Sequence, residues 1–547
     1  MGSINMKKTL IVIPARGNSK AIPRKNLRFL AGKPLIAYSI QNALKCSFAS
    51  DVVVTSDDDE IKYVSMKYGA QVIDRPAELG QDNVTLDPVV YDTLKQAEKR
   101  NATCYDIVVT LQPTSPLLTT TTLDDAFEYF IAKGVDTLIS AINRPSLAWT
   151  ETSEGHMPLY KKRVNRQYLP KYFVETGAFV ISKREFINAE SRFGVNNLVY
   201  EIPENESIDI DSYNDLCLAE RELTKKHVLF RVDGYTEIGL GHIYRCLTLA
   251  YQMTDCIVHF VLSDKSDIGI KKIADSFFPY DVIHNNDAIF DLAVKYKTDI
   301  VVNDILDTDK DYIEKLKGMS LRVINFEDLG SGADYADMVI NDLYEKQKES
   351  SHFLWGSKYY CIRDEFHLCA PKSFLSSVEN VLITFGGTDP ADLTTRLFNI
   401  VKNLNYQKIK FTFILGIGNT NFKEDYGGQC YNNIEVVRDV KTITKYMAEA
   451  DMAISSQGRT MLELACLEVP SILIAQNDRE LNHEFGEISN GIINLGCYNE
   501  VDNTTIQETL EWLINCPQMR KHLKSQMHRI SVDLKSGTDV VKRIILS

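Results

Sequence analysis

Leu10-Ile11-Val12-Ile13 is an unbroken apolar run that stops at Pro14 and opens into a loop holding Arg16, Gly17, Asn18, Ser19, Lys20, Arg24, Lys25 and Asn26. Apolar residues without polar alternation are the pattern of a parallel strand covered on both faces. The loop then sets the chemistry. Arg and Lys bring positive charge, Gly17 lets backbone approach a ligand, and Asn18 and Ser19 donate hydrogen bonds; together they suit a polyphosphate. A solvated basic loop behind a core strand is the plain alternative. The spacing is neither a Walker A loop nor a GxGxxG fingerprint, so neither a P-loop ATPase nor an NAD enzyme is indicated.

The strand-to-polar step recurs. A helical period over 33–44 leads to a strand at 51–55 that empties into Ser56-Asp57-Asp58-Asp59-Glu60, and further steps come at 71–75 and 106–110. Strands alternating with helical patterns indicate a parallel α/β sheet, whose ligands sit at the carboxyl ends of the strands. Asp57, Arg75 and Gln112 therefore join residues 16–20 as one candidate set. Asp82, Asn83 and Thr85 precede a helix, where they serve a ligand or simply cap. Ser207-Ile208-Asp209-Ile210-Asp211 reads as a strand, on which residues two apart share a face. Asp209 and Asp211 then present two carboxylates together, a repulsion that a shared Mg²⁺ relieves. Two edge aspartates in water are the alternative.

P-A-R-G-x-S-K-x-I-P-x-K-N at 14–26, Q-x-T-S-P at 112–116, R-Q-x-L-P at 166–170, G-A-F at 177–179 and D-I-D at 209–211 resemble the signature of the cytidylyltransferases that make CMP-sialic acid and related CMP-nonulosonic acids. The resemblance implies a Rossmann-like, GT-A-like nucleotidyltransferase domain over 1–225. Its members transfer CMP from CTP to a nine-carbon 2-keto sugar acid and release pyrophosphate, using a divalent cation such as Mg²⁺. Carried onto this chain, it implies catalytic roles for Arg16, Lys25 and Asp211. It implies nucleotide contacts from Arg16, Gly17, Asn18, Ser19, Lys20, Asn26, Asp57, Arg75 and Thr85. Gln112, Arg166, Gln167 and Phe179 would contact the sugar acid, and Asp209 and Asp211 would hold the metal. A guanidinium grips a carboxylate bidentately, which suits Arg166; a surface ion pair is the alternative. The same segment implies a homodimer through this domain. Many sialic-acid members have Asn immediately before the glycine that is Gly177 here; Thr176 in its place leaves the sugar open.

A second apolar strand at 227–233 restarts the pattern and runs into Ile238-Gly239-Leu240-Gly241-His242 at the head of a helix. R-x-D-x-x-x-x-I-G-x-G-H-x-x-R-C-L-x-L-A over 231–250 resembles the UDP-sugar hydrolases of pseudaminic acid biosynthesis and their spore-coat relatives. That resemblance implies a two-lobed GT-B-like domain over 227–547, with lobes at about 227–372 and 378–547 and a cleft between them. It implies that His242 activates water at the anomeric carbon and expels UDP. Gly241 and the turn Gly386-Gly387 would hold the diphosphate, Glu463 the ribose hydroxyls and Asn477 the sugar. A structural histidine and a solvent-facing glutamate are the alternatives. Two departures stand out. An Asp-Ser-Tyr-like segment is expected around 301–305, and its aromatic is absent. Gln476-Asn477-Asp478 also stands where many members have Glu-Asn-Gln or Asp-Asn-Gln. Three functions stay open for this half: hydrolysis of a UDP-2,4-diacetamido-trideoxyhexose, non-hydrolytic UDP-sugar binding, and, on architecture alone, glycosyl transfer.

Composition matters here for what it removes. A net charge of −13 over 547 residues leaves no basic footprint for nucleic acid. The 11 cysteines form no CxxC pair, as expected of reduced thiols in the cytoplasm. No apolar run is long enough for a membrane span, and the start lacks a signal core. Residues 1–5 read equally as a tag remnant or a natural start. The expected partners are CTP, a nonulosonic acid and a UDP-sugar.

Overall fold

The computed structural model describes residues 7–235, 238–345, 348–416, 418–423, 431–438 and 440–547; residues 1–5 lie outside them. The chain forms two compact units, Met1–Lys225 and Lys226–Ser547.

The first unit is built on a seven-stranded sheet. From edge to edge its strands are Asn197–Glu201, Thr137–Asn143, Phe173–Lys183, Ile107–Leu111, Thr9–Pro14, Asp51–Ser56 and Gln71–Asp74. Thr9–Pro14 is fully buried. Its alternating side chains feed two separate cores, Ile11 and Ile13 on one face and Leu10 and Val12 on the other. That is why the run shows no polar alternation.

Two expectations fail here. The sheet is not all parallel, because Phe173–Lys183 runs antiparallel to both neighbours. A parallel return needs a crossover, usually a helix. Residues 144–172 supply none; they hold only the exposed hairpin Trp149–Thr152/Gly155–Pro158 and a short turn at Arg166–Tyr168. Residues 207–211 are not a strand either. They form irregular backbone tied down by Ile210 N–H donating to the Thr114 carbonyl at 2.9 Å. Ser212 and Asp215 then close a capping box on the helix Tyr213–Leu223.

The second unit holds two all-parallel sheets. The first runs Tyr280–Ile283, Cys256–Ser263, Lys226–Val232, Ile300–Asp304, Arg322–Phe326, Met338–Asn341, Phe353–Trp355. The second runs Ile434–Arg438, Lys410–Leu415, Asn380–Thr384, Met452–Ser455, Ser471–Ala475, Ile492–Cys497. In the first sheet the strand order reverses at Lys226–Val232, whose two neighbours are Cys256–Ser263 and Ile300–Asp304. Such a switch point opens a crevice at the strands' carboxyl ends. The long last helix, Pro517–Leu546, begins against the second lobe through Leu523 and ends with Val541 and Ile545 in the core of the first. No single cut in the chain therefore separates the lobes. Among the described residues no helix is long and apolar enough to cross a membrane.

Candidate functional site

In the first unit, carboxylates from the next strand's end fasten the basic loop. Gly17 N–H donates to Asp57 Oδ1 at 3.0 Å. A Cβ on Gly17 would lie 2.8 Å from Asp58, so only glycine lets the loop lie this close. Asn26 is buried, and its Nδ2 donates to the Arg16 carbonyl at 3.0 Å. Asn26 therefore braces the loop through one of its amide N–H groups. Arg16 and Lys20 both rest on Asp82, at 2.8 and 2.7 Å. Exposed pairs of this kind are weak, so both cations can turn to a stronger anion. Asn18 and Ser19 have no side-chain partner among the described residues. Arg75 is buried, with Nη2 on the Thr55 carbonyl at 2.9 Å and Nε unpartnered. Burial lowers its pKa, against the pull of Asp57. Thr85 holds the N-cap position of the helix Leu86–Arg100 without capping it.

A second cluster gathers Gln112, Gly177, Asp209, Asp211 and Lys25. Gly177 has φ +72°, and a Cβ there would meet Gln112 Nε2 at 3.1 Å and Asp209 Oδ2 at 3.7 Å. Asp209 Oδ1 is sealed from solvent without a hydrogen-bond partner. Burial pushes this carboxyl up and Asp211 adds to the shift, while Thr114 and Lys25 pull the other way. Lys25 Nζ donates to the Ile210 carbonyl at 2.7 Å and pairs with Asp211 at 3.2 Å. A bare buried carboxylate oxygen beside a second carboxylate is a donor set for a hard divalent cation. Among the described residues no group of three or more His, Cys, Asp or Glu could hold a metal. Substrate oxygens or water would have to complete its shell.

Three other residues fall elsewhere. Phe179 is 0 % exposed and packs near Tyr200 in the core, so its ring cannot contact a substrate. Thr176 is buried with its hydroxyl 2.9 Å from Ser140 Oγ; it serves the sheet. Arg166 and Gln167 sit on the exposed turn Arg166–Tyr168 with no side-chain partner among the described residues.

In the second unit, residues from both lobes line a cavity of about 310 Å³. His242 is the second residue of the helix Gly241–Gln252. Its Nδ1 lies 2.6 Å from Oδ1 of Asp304, the last residue of Ile300–Asp304. Arg245 Nε and Nη2 reach the same carboxylate at 2.7 and 2.6 Å. Although Asp304 is fully buried, Arg245 and then His242 hold it down to about 2. An ionised Asp304 keeps the proton on Nδ1 and leaves Nε2 as the basic nitrogen. Arg245 Nη1 continues to Asp342 at 3.0 Å and to Glu327. Arg459, from the second lobe, reaches Glu327 at 3.3 Å and Asp342 at 3.0 Å. Two guanidiniums thus face three carboxylates. Burial pushes the Asp342 carboxyl up, against the pull of Arg459 and Arg245. Arg459 Nη2 is left without a partner.

Glu463 Oε1 accepts from Arg363 Nε and Nη2 at 3.1 and 2.8 Å. Both nitrogens use one oxygen, leaving Oε2 uncommitted among the described residues. Asn477 Oδ1 accepts from Glu480 N–H at 3.0 Å, so that oxygen caps a short helix. A Cβ on Gly241 would lie 2.9 Å from Arg459 Cδ, so Gly241 is required by the Arg459 side chain packed on it. Gly386 has φ +79° with nothing within 4 Å of a Cβ, and the turn it makes with Gly387 faces the cavity.

Residues 10–196 match the family described as Cytidylyltransferase, and residues 381–532 match the Glycosyltransferase family 28 C-terminal domain. Over 223 residues the chain is 35% identical to the Pseudaminic acid cytidylyltransferase of Campylobacter jejuni subsp. jejuni serotype O:2, covering 39% of this chain and 95% of that protein. The chain belongs to the cytidylyltransferase family. It is also 32% identical over 221 residues to the N-acylneuraminate cytidylyltransferase A of Danio rerio, covering 39% of this chain and 50% of that protein. The solved structure of Acinetobacter baumannii MurG matches 59% of this cytidylyltransferase and 99% of MurG, at 14% identity and a TM-score of 0.43. The second unit has two parallel α/β lobes lining one cavity, and the family 28 match lies in its second lobe.

Several residues of this cytidylyltransferase's second unit escaped the sequence reading: Asp304, Arg245, Arg459, Glu480 and His483. Asp304 carried a signal, a carboxylate at the end of an apolar strand, and Arg245 stands within the motif over 231–250. Glu480 lines the cavity and accepts from Gln476 N–H at 2.8 Å, and burial pushes its carboxyl up to about 7. The folded state therefore binds this proton more tightly than the unfolded chain. The associated stability is present at low pH and is lost as pH rises from the ordinary glutamate range toward 7. Glu480→Gln should remove that slope. Between about pH 5 and 7 the wild type should lose up to about 3 kcal/mol relative to the variant. Denaturant unfolding of both proteins across that range checks it, and a constant difference would mean that Glu480 is already ionised.

Proposed function

We propose that this cytidylyltransferase moves CMP from CTP onto a nonulosonic acid of the pseudaminic or sialic type, and that its second unit hydrolyses a UDP-2,4-diacetamido-2,4,6-trideoxyhexose to UDP and free sugar. The first reading rests on the unpartnered Asp209 oxygen beside Asp211 and Lys25, together with the family membership. The relatives' printed names support the sugar class. Arg16, Lys20 and Arg75 bind the triphosphate, and Asn18 and Ser19 donate to its oxygens. Asp209 and Asp211 hold Mg²⁺, which when bound neutralises charge at the α-phosphorus. Gln112 orients the sugar acid, whose anomeric hydroxyl attacks that phosphorus as pyrophosphate leaves. Incubating the full chain with CTP, Mg²⁺ and a panel of sialic, legionaminic and pseudaminic acids tests this. Pyrophosphate release with none of them overturns it.

Arg166, free on its turn, grips the acid's carboxylate. Arg166→Lys keeps the charge but loses the fork, so KM for the sugar acid should rise about tenfold while KM for CTP barely moves. Equal rises in both would place Arg166 elsewhere. Trp149, Tyr168 and Tyr172 are 53, 71 and 50 % exposed in the same segment, which supports pairing of two copies through this unit.

The second reading rests on the His242–Asp304 pair at the switch point of the first sheet. His242 Nε2 takes a proton from water, the water oxygen bonds to the anomeric carbon, and the bond to the UDP oxygen breaks. Leu306 lines the cavity just past the segment where the resemblance leads one to expect an aromatic. That supports the alternative, a UDP-sugar-binding module without hydrolysis. UDP release without any acceptor separates the two, and release that needs an acceptor would favour a glycosyltransferase.

A further inference from the structure

We propose that His483 and Gln476 form an acceptor subsite in the second unit's cavity, which selects ligands whose sugar ring presents N–H or O–H donors. The inference rests on the UDP-sugar reading above. His483 Nδ1 lies 2.7 Å from the Gln457 carbonyl. A carbonyl only accepts, so Nδ1 carries the hydrogen and Nε2 is a bare lone pair. Gln457 holds the residue from the other side as well, its Nε2 donating to the His483 carbonyl at 2.7 Å. Burial lowers the His483 pKa, which keeps the ring neutral. Gln476 follows the same logic. Its Nε2 donates to the Phe385 carbonyl at 3.1 Å, which turns Oε1 the other way.

His483 Nε2 and Gln476 Oε1 are both sealed from solvent without a partner, in residues 5 and 8 % exposed that line the cavity. Two unpartnered acceptors held in place by backbone carbonyls favour ligand donors. The His483 ring meets the Tyr344 ring edge-on, with centroids 5.1 Å apart. It also feels Glu327, which Arg245 ties to the His242 pair. The subsite therefore lies toward the reacting end of the ligand. An amide-substituted hexose, with its N–H groups and a ring hydroxyl, has the required donors.

The test is calorimetric titration of the full chain in a His242→Asn background, which preserves the ligand. UDP and the UDP-2,4-diacetamido-2,4,6-trideoxyhexose are titrated into that protein and into its His483→Phe and Gln476→Met derivatives. UDP should bind all three within about twofold, which also shows that they are folded. The UDP-sugar should bind each derivative about tenfold more weakly, the loss of one buried hydrogen bond. Equal loss for UDP and UDP-sugar, or no loss for either, overturns the subsite alone. Equal binding of UDP and UDP-sugar to the parent overturns both the subsite and the UDP-sugar reading beneath it.

Discussion

Asp209→Asn should lower CMP transfer by about a thousandfold without lowering the stability of the fold. The two readouts separate because burial raises the Asp209 carboxyl above the ordinary aspartate range. A group with a raised folded pKa opposes folding once it is charged, at pH above that pKa. A neutral isostere removes this cost, so the metal-free variant should melt at or above the wild type near pH 7. Added Mg²⁺ with CTP should raise the wild type's Tm but not the variant's. Asp211→Asn should be milder in stability terms, because Asp211 is exposed and its loss frees only Lys25 from a 3.2 Å pair. Turnover by Asp209→Asn within twofold of wild type at saturating Mg²⁺ would sink the assignment.

His242→Asn should reduce UDP release from the diacetamido UDP-sugar by about a thousandfold, the usual range for a lost general base. Asp304 is held down to about 2, so it stays ionised throughout the neutral range and keeps the basic nitrogen of His242 directed away from it. The variant should still be stabilised thermally by UDP, because Glu463 Oε2, the unpartnered Arg459 Nη2 and the Gly386-Gly387 turn are untouched. CMP transfer should not change, since every residue assigned to it lies within residues 1–225. Unchanged hydrolysis would remove His242 from catalysis. A wild type with no hydrolysis but firm UDP-sugar binding would favour the binding-module reading.

Much of this protein was legible along the chain. Apolar runs such as 10–13 and 228–230 reveal buried parallel strands, because a strand covered on both faces needs no polar side. The loop at 14–26 announces an anion site through residue types alone, since charge, small donors and a glycine carry the chemistry whatever their exact placement. The D-I-D spacing brought two carboxylates to attention, although the reason attached to it was wrong. Asp209 and Asp211 do not share a strand face; irregular backbone leaves Asp209 half-buried and Asp211 exposed.

What local sequence could not decide was which partner each polar group meets. Asn26, Asn477 and Glu463 are all polar residues beside a site, yet Asn26 braces a carbonyl, Asn477 caps a helix and Glu463 gives one oxygen to Arg363. Phe179 looked like a sugar contact and is core. The pair His242–Asp304 joins residues from a helix and a strand that meet only when the sheet is ordered around Lys226–Val232. The ion-pair cluster below it needs Arg459 from the second lobe. Strand pattern and residue chemistry are local properties and survive in the sequence. Desolvation, buried ion pairs and unpartnered lone pairs belong to the packed interior, because they depend on which groups burial brings together, and only the tertiary structure decides that.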